Sequence, residues 1–187
     1  MEQNNNNQST ALLIMDVQPM TLERLKNNKE EYLAKITKAA DFAHENKISV
    51  IYVVVGFRPG FPEISPNNKS FGAMKESMSA LVNPVPAIEP ADNDVVVTKR
   101  RVSAFSGSDL EVVLRAKNIK HLVLTGIATS GVVLSTVREA ADKDYQLTVI
   151  SDLCADFDEQ VHAVLADKVF PRQATVVTSE QWMSLSK

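Results

Sequence analysis

The chain has 187 residues, of which 44% are hydrophobic and 23% charged, and its 20 basic and 23 acidic side chains give a formal net charge of −3. This is ordinary globular composition at a size that supports one hydrophobic core, and it excludes collagen-like and low-complexity classes. The near balance of charge gives no support for binding to nucleic acid or to a membrane surface, and a single cysteine excludes an intrachain disulfide.

The amino-terminal sequence MEQNNNNQST is polar and has neither the basic nor the apolar segment of a secretory signal. The longest apolar runs are far below the ~18–20 residues that span a bilayer. We therefore expect a cytoplasmic protein with no membrane partner and no nucleic-acid partner. We interpret residues 1–9 as a disordered polar tail and residues 10–187 as a single domain.

Short apolar runs alternate along the chain with segments of helical periodicity. In chain order, the apolar runs predict six strands, at residues 11–17, 48–55, 95–98, 121–126, 146–152 and 174–178. The periodic segments predict helices at residues 29–47, 108–119, 131–144 and 158–169, and a terminal helix from residue 179 onward. In the second of these helices Ser108 is the expected N-cap, and Glu111 stands at the capping-box position. Residues 56–93 are the longest irregular stretch.

The strands are continuously apolar, a pattern typical of strands that are buried on both faces of a sheet. Alternation of such strands with helices predicts the α/β class. Six strands could close only a small barrel, so an open sheet is favoured. We expect a single-domain, doubly wound, Rossmann-like sheet of six mainly parallel strands with helices on both faces.

Ligands of open parallel sheets bind beyond the carboxyl ends of the strands, so the polar residues that follow each strand are the candidates for function. In chain order these are Asp16 and Gln18, then Arg58 and Glu63, the run Lys99, Arg100 and Arg101, then Thr129 and Ser130, and finally Asp152 and Cys154.

Asp16 and Lys99 stand at the ends of apolar runs, IMDVQ and VVVTK. A poorly solvated carboxylate must find a cation, or its pKa rises. We therefore expect these two side chains to form an ion pair at the edge of the sheet. The alternative is that Asp16 only caps a turn and Lys99 only reaches solvent, and composition does not decide between the two.

The segment GIATSGVVLS, residues 126–135, is a tight turn from a strand into a helix. Its small residues leave backbone amides free at a helix N-terminus, where an anion or a substrate oxygen is stabilised. The signal is weak on its own, because any tight turn of this kind looks similar.

Four segments, in this order and spacing, resemble the isochorismatase-like hydrolase superfamily, which includes nicotinamidases and other cysteine hydrolases. They are ALLIMDVQ (11–18), VVTKRRVSAFSGSDLEVVL (96–114), HLVLTGIATSGVVLSTVREAADKDY (121–145) and VISDLCADFDEQVHAVL (149–165).

This resemblance implies that residues 10–187 form an isochorismatase-like hydrolase domain whose strands are ordered 3-2-1-4-5-6. It implies catalytic roles for Asp16 and Lys99 and a cis peptide between Ile127 and Ala128. Relatives are commonly dimers or larger, so we expect a homodimer or a larger homo-oligomer.

The chain departs from the cysteine hydrolases at the nucleophile. Their turn reads G-(V/I)-x-T-x-x-C-V, and laid on GIATSGVV its cysteine falls on Val132. Valine has no lone pair, so attack by a thiol on an amide carbonyl is unavailable at this position. Isochorismatases proper also lack the cysteine; in them an Asp protonates a vinyl ether and water completes the hydrolysis.

We expect no metal site and no cofactor. Nicotinamidases bind a divalent ion through an Asp-x-His and further histidines after strand two, but the corresponding segment VVVGFRPGFPE, residues 53–63, has no histidine. His44, His121 and His162 lack the spacing of metal ligands, and we interpret each as structural or exposed.

Two other residues near the expected site have open roles. We interpret Cys154 as structural, because free cysteine is among the most buried residue types. Arg58 could bind a substrate carboxylate through a bidentate pair of hydrogen bonds, or it could form a salt bridge with Glu63 that pins its loop. Arg100 and Arg101 are adjacent, so at most one of them faces the site.

The function that we expect is hydrolysis of a small molecule, such as an amide or a vinyl ether, without a covalent Cys intermediate. Asp16 would be the general acid or base, and Lys99 would hold Asp16 and polarise the substrate. The backbone amides from Ile127 to Val132 would form an oxyanion-type site. The expected substrate-binding residues are Ile127, Ala128, Thr129, Ser130, Gly131, Arg58 and Gln18. The alternative is a catalytically silent relative that binds a small ligand or serves as an assembly subunit.

Overall fold

The computed structural model describes residues 7–25, 28–72 and 81–185. Its centre is one sheet of six strands: β1 Thr10–Met15, β2 Ser49–Val55, β3 Val95–Lys99, β4 His121–Ile127, β5 Gln146–Ala155 and β6 Thr175–Val177. The order across the sheet is β3-β2-β1-β4-β5-β6, and all five pairings are parallel. The predicted α/β class and strand order are therefore confirmed.

Six of the described helices lie between successive strands, and the last follows β6. They are α1 Pro19–Leu22, α2 Lys29–Glu45, α3 Lys69–Gly72, α4 Leu110–Ala116, α5 Leu134–Asp142, α6 Glu159–Val164 and α7 Ser179–Leu185. A π-helical turn, Thr129–Val133, leads into α5, and another, Leu165–Val169, continues α6. Within the described ranges no helix has both the length and the apolar character that crossing a bilayer requires.

The sheet separates two apolar cores, because alternate residues of its strands point to opposite faces. On β1, Leu13 and Met15 belong to a core shared with α4 and α5. Leu12 and Ile14 belong to a second core, shared with α2 and with Trp182 of α7. Both faces of β1 are buried along its whole length, which explains its continuously apolar sequence and confirms that helices cover both faces.

The end of β5 differs from the prediction. The polar pair Ser151 and Asp152 favoured a strand that ends at residue 152, but the strand continues to Ala155. A register shift between β4 and β5 lets the pair face outward, and the Asp152 carboxylate accepts hydrogen bonds from the backbone and hydroxyl of Ser179 at 2.6 and 2.7 Å. Asp152 therefore binds the start of α7 and Ser151 Oγ donates to the Val177 carbonyl of β6 at 3.2 Å, so neither residue ends the strand.

The helix predicted at residues 108–119 starts later than predicted, although Ser108 bonds its first turn. The helix begins at Leu110, and the residue at its N-cap position, Asp109, makes no side-chain capping bond. Ser108 Oγ nevertheless accepts from the Leu110 amide at 3.2 Å, as the predicted N-cap would, and it donates to the Ala104 carbonyl at 2.6 Å. Glu111 does not complete a capping box; it pairs with Arg115 of the same helix.

Most of the expected polar tail, residues 1–9, lies outside the described residues. Its last residue is part of the packed domain, because the Ser9 carbonyl accepts hydrogen bonds from the amides of Lys120 and His121 at 2.8 and 3.1 Å.

Candidate active site

Asp16 follows β1 directly and has an unusual backbone. Its φ is +54°, in the left-handed region that Asp tolerates better than most residues. The Asp16 amide donates to the Val53 carbonyl at 2.8 Å, and its carbonyl accepts from the Thr21 hydroxyl. The neighbouring strand and α1 therefore hold this conformation. Backbone in sparsely populated regions is found preferentially at functional sites.

The expected ion pair between Asp16 and Lys99 is present. Lys99 Nζ lies 2.8 Å from Asp16 Oδ2, and the two side chains are only 2% and 10% exposed, respectively. Lys99 is the last residue of β3. The strand order places β3 and β1 on either side of β2, so the two side chains meet beyond the carboxyl end of that strand.

The other two protons of Lys99 are also used within the protein. Lys99 Nζ donates to the carbonyls of Arg101 at 2.9 Å and Val102 at 3.0 Å. An ammonium group has three donors, and Asp16 takes the third. All three protons of Lys99 are therefore directed at partners within the protein.

The second carboxyl oxygen of Asp16 has a different environment from the first. Asp16 Oδ1 is buried and has no hydrogen-bond partner among the described residues. Burial raises the pKa of the Asp16 carboxyl above its ordinary value, although the Lys99 ammonium acts in the opposite direction. A carboxyl with a raised pKa and one unused oxygen can carry a proton on that oxygen and donate it.

The turn after β4 has the backbone that the resemblance implied. The peptide between Ile127 and Ala128 is cis, as expected, and Gly126 just before it has φ +142°. A Cβ on Gly126 would lie 2.1 Å from the Met15 carbonyl oxygen, so only glycine fits where β4 passes the end of β1.

Several amides of this turn are occupied. The Ser130 amide donates to Asp156 Oδ2 at 2.6 Å. The amides of Gly131 and Val133 donate to the Ala128 carbonyl at 3.1 and 3.3 Å. Of the amides expected to form an oxyanion-type site, from Ile127 to Val132, those of Ser130 and Gly131 are thus bonded within the protein.

The side chains of the turn are mostly buried. Thr129 is fully buried, and its hydroxyl lies 2.8 Å from His162 Nδ1 on α6. Val132, where the resemblance led us to expect the family's nucleophile, belongs to the apolar core that also contains Val97 and Phe105.

Gln18, an expected substrate-binding residue, bonds to the backbone of β2. Its Nε2 donates to the Val55 carbonyl at 3.3 Å, and its Oε1 accepts from the Val55 amide at 2.9 Å. Gln18 is 2% exposed. Its amide group is therefore largely committed to holding α1 against the end of β2.

Arg58, the other expected substrate-binding side chain outside the turn, lies on Glu63. Its Nη1 is 2.6 Å from Glu63 Oε1, and its side chain is 68% exposed. Arg100 Nε is 3.5 Å from the same oxygen, and Arg101 Nη2 donates to the Glu63 carbonyl at 3.0 Å. Residue 63 thus joins three arginines at this end of the sheet, in keeping with the alternative in which Arg58 pins its loop.

The cysteine and the histidines are placed as follows. Cys154 is buried, and burial raises the pKa of its thiol to about 12. His44 pairs with Asp94 at 2.8 Å, and His121 Nε2 lies 2.9 Å from the Thr148 hydroxyl. In the portions of the chain that the structure describes, no three His, Cys, Asp or Glu side chains are grouped as metal ligands would be.

A cleft of about 340 Å³ lies between α2, the end of β5 and α6, and its lining includes Tyr32, Lys35, Asp156 and His162. A second groove of about 520 Å³ lies between α2 and α7. Neither of these two clefts includes Asp16 or Lys99 in its lining. The ion pair is therefore buried in the structure and separate from both.

Reasoning from the sequence missed three residues that hold the site. Asp156 binds the Ser130 amide, His162 contacts Thr129, and Thr136 binds the loop after Lys99. Asp156 could have been found, since it follows β5, but the predicted strand ended too early. The role of Thr136 could not have been predicted, because a threonine within a helical segment has the same pattern as an ordinary exposed position.

Comparison with known proteins identifies the relatives of the chain. The sequence model of the family described as Isochorismatase domain matches residues 10–181. YwoC, an uncharacterized isochorismatase family protein of Bacillus subtilis, is 32% identical over 182 residues, which cover 96% of this chain and 95% of that protein. RutB, a ureidoacrylate amidohydrolase of Rhizobium rhizogenes, is 31% identical over 165 residues, which cover 77% of this chain and 67% of that protein. The structure of an isochorismatase family protein of Burkholderia thailandensis matches with a TM-score of 0.81 at 28% identity and covers 95% of each chain.

Proposed function

The chain belongs to the isochorismatase family, and we propose that it is a hydrolase that acts on a small molecule through general acid catalysis by Asp16, without a covalent Cys intermediate. The bond that is hydrolysed is that of an amide, a vinyl ether or a similar group. Residues 10–187 form the hydrolase domain, which needs no cofactor. The protein acts in the cytoplasm as a homodimer or a larger homo-oligomer.

The observation that carries this proposal is the difference in bonding between the two carboxyl oxygens of Asp16. Oδ2 is paired with Lys99, whereas Oδ1 is buried without a partner among the described residues. Burial raises the pKa of this carboxyl, which favours the protonated form at a given pH. An oriented carboxylic acid with one free oxygen is the group that acid-catalysed hydrolysis requires.

For a vinyl ether the reaction balances as follows. Asp16 gives its proton to the terminal vinyl carbon, so that a C–H bond forms and the ether carbon becomes an oxocarbenium ion. Water adds to that carbon and returns a proton to Asp16. The hydroxyl proton of the resulting hemiacetal then passes to the ether oxygen as the C–O bond to that oxygen breaks, which releases an alcohol and a carbonyl compound. Lys99 stabilises the carboxylate that exists between the two proton transfers.

Two observations support a mechanism without a covalent Cys adduct. Val132, to which the resemblance assigns the position of the nucleophile, is 2% exposed and packed in an apolar core. The chain's one cysteine, Cys154, is buried, and the pKa of its thiol is raised to about 12, so very little thiolate exists at neutral pH.

A second candidate function is binding without catalysis, in a small-ligand receptor or an assembly subunit. The packing of Val132 in the core favours it, because a side chain committed to the core does not face a substrate. Retention of the Asp16–Lys99 pair argues against it, since a buried ion pair with no use is costly to keep.

Turnover of a panel of small amides, N-carbamoyl compounds and vinyl ethers, followed by product release, tests the proposal. We expect at least one class to be hydrolysed and Asp16→Asn to reduce kcat by about 100-fold or more. Asp94→Asn is the matched control, because it changes the carboxylate of another ion pair, with His44, and should leave kcat unchanged. Tight binding of a panel compound without turnover would favour the receptor instead.

A further inference from the structure

We propose that Thr136 is a positioning residue: it fixes the loop that holds the Lys99 ammonium against Asp16. This inference deepens the proposed function and rests on it for its catalytic meaning. Its structural part, the placing of Lys99, can be measured without any substrate.

The Lys99 ammonium is held largely by the backbone of the loop that follows β3. Two of its three partners are backbone carbonyls, those of Arg101 and Val102. The direction in which the ammonium points therefore depends on the conformation of the loop that follows β3. A small shift of this loop would carry the ammonium away from the Asp16 carboxyl.

The loop after β3 is in turn bonded to helix α5. The Ala104 amide, two residues after Val102, donates to Thr136 Oγ1 at 3.0 Å. Both Ala104 and Thr136 are fully buried. The bond joins the loop to the first turn of α5, 32 residues further along the chain.

The identity of residue 136 bears on this bond. A fully buried helix position is ordinarily filled by an apolar side chain, and threonine is a poorer helix former than Ala or Leu. The hydroxyl of Thr136 is accounted for by the bond from Ala104. A second tie between loop and helix, from Ser106 Oγ to Glu139 Oε2, is longer at 3.2 Å and only partly buried, so Thr136 makes the buried attachment.

The consequence concerns the charge that Asp16 experiences. Lys99 is the charged side chain that acts on the Asp16 carboxyl, and it opposes the effect of burial. If the loop moves and the ammonium retreats, the Asp16 carboxyl loses its stabilising cation and takes up a proton more readily. A role of Thr136 in packing alone would lower stability without changing this titration.

The experiment is a pH titration by NMR of protein carrying 13C-labelled aspartate carboxyls, with Asp16→Asn to assign the Asp16 signal. We expect Thr136→Val, which keeps the shape and removes the acceptor, to raise the Asp16 pKa by about one unit. Thr136→Ser keeps the hydroxyl and should restore the parent value. Thr148→Val is the matched control, because it removes another buried threonine hydroxyl that bonds a side chain, His121, away from this loop.

An Asp16 pKa in Thr136→Val equal to that of the parent would overturn the proposal, whatever happens to the melting temperature. If Thr136→Val does not fold, Thr136→Cys, whose sulfur is a weaker acceptor, should give a smaller rise, and no rise in that variant overturns the proposal as well. Failure of the whole substrate panel would count against the proposed hydrolase but not against this titration, so the two outcomes are distinguishable.

Discussion

Gly126 and Met15 approach each other so closely that a methyl group on the glycine would lie 2.1 Å from the Met15 carbonyl oxygen. The two residues are register partners in the pairing of β4 with β1. Asp16 comes directly after Met15, and the turn of residues 127–133 comes directly after Gly126. The absence of a side chain at residue 126 is thus a condition for bringing the carboxyl and the turn together.

Gly126→Ala should therefore strongly destabilise the protein. The positive φ and the clash with backbone predict a loss of about 3 kcal/mol or more in the free energy of unfolding. Urea denaturation followed by circular dichroism measures it. Gly131→Ala is the matched control in the same turn: the nearest contact of its added Cβ is 3.7 Å, and we expect the parent stability within about 1 kcal/mol. Equal stability of the two variants would contradict this account of the close approach.

The pH dependence of kcat should report the protonated form of Asp16. Because this form is the acid, kcat is highest at low pH and falls as the pH rises through the Asp16 pKa, which burial raises above its ordinary value. Lys99→Met removes the cation that lowers this pKa, so the fall in kcat should move to higher pH. A rate that increases with pH, or a fall that moves to lower pH in Lys99→Met, would mean that Asp16 acts as a base or that another group titrates.

Val132→Cys places a thiol where the cysteine hydrolases have their nucleophile. If the Asp16–Lys99 frame is arranged for covalent chemistry, iodoacetamide should alkylate the new thiol near neutral pH. The thiol of Cys154, whose pKa is about 12, carries roughly a thousandfold less thiolate than an ordinary cysteine of pKa about 8.5. Mass spectrometry should therefore find one label on Val132→Cys and none on the parent.

The double variant Val132→Cys with Cys154→Ser controls for the native thiol and should also take one label. A thiol at residue 132 that reacts no faster than Cys154 would show that the frame does not activate a nucleophile at this position.

Arg58 and Glu63 provide a test of what the loop arginine does. The two side chains pair at 2.6 Å, so if Arg58 serves to pin the loop, Arg58→Ala and Glu63→Ala should raise KM together. The double variant should then be no worse than either single variant. If Arg58 instead binds a substrate carboxylate, removal of Glu63 frees it, and Glu63→Ala should lower KM while Arg58→Ala raises it. We expect the first pattern.

The fold could be predicted from the sequence because continuous apolar strands and periodic helices report burial directly. The Asp16–Lys99 pair could be predicted too, since each charge ends an apolar run and parallel strands end at the same edge. The partners of the remaining Lys99 protons could not, because they are backbone carbonyls whose direction depends on one loop conformation. The partner of the Ser130 amide could not be predicted either, because its acceptor, the Asp156 carboxylate, lies after a different strand, β5.

The strand order has a consequence for the time at which the site forms during synthesis. β1 lies at the centre of the sheet, between β2 and β4, and Thr10 at its start pairs with His121, 111 residues later. At about 5–20 residues per second, a ribosome needs roughly 5 to 20 s to make the intervening chain. Throughout that interval β1, which directly precedes Asp16, lacks at least one of its two neighbours and shows an unpaired apolar edge. The nascent chain thus needs protection from aggregation at this central strand, and the carboxyl reaches its final surroundings only after more than half of the protein exists.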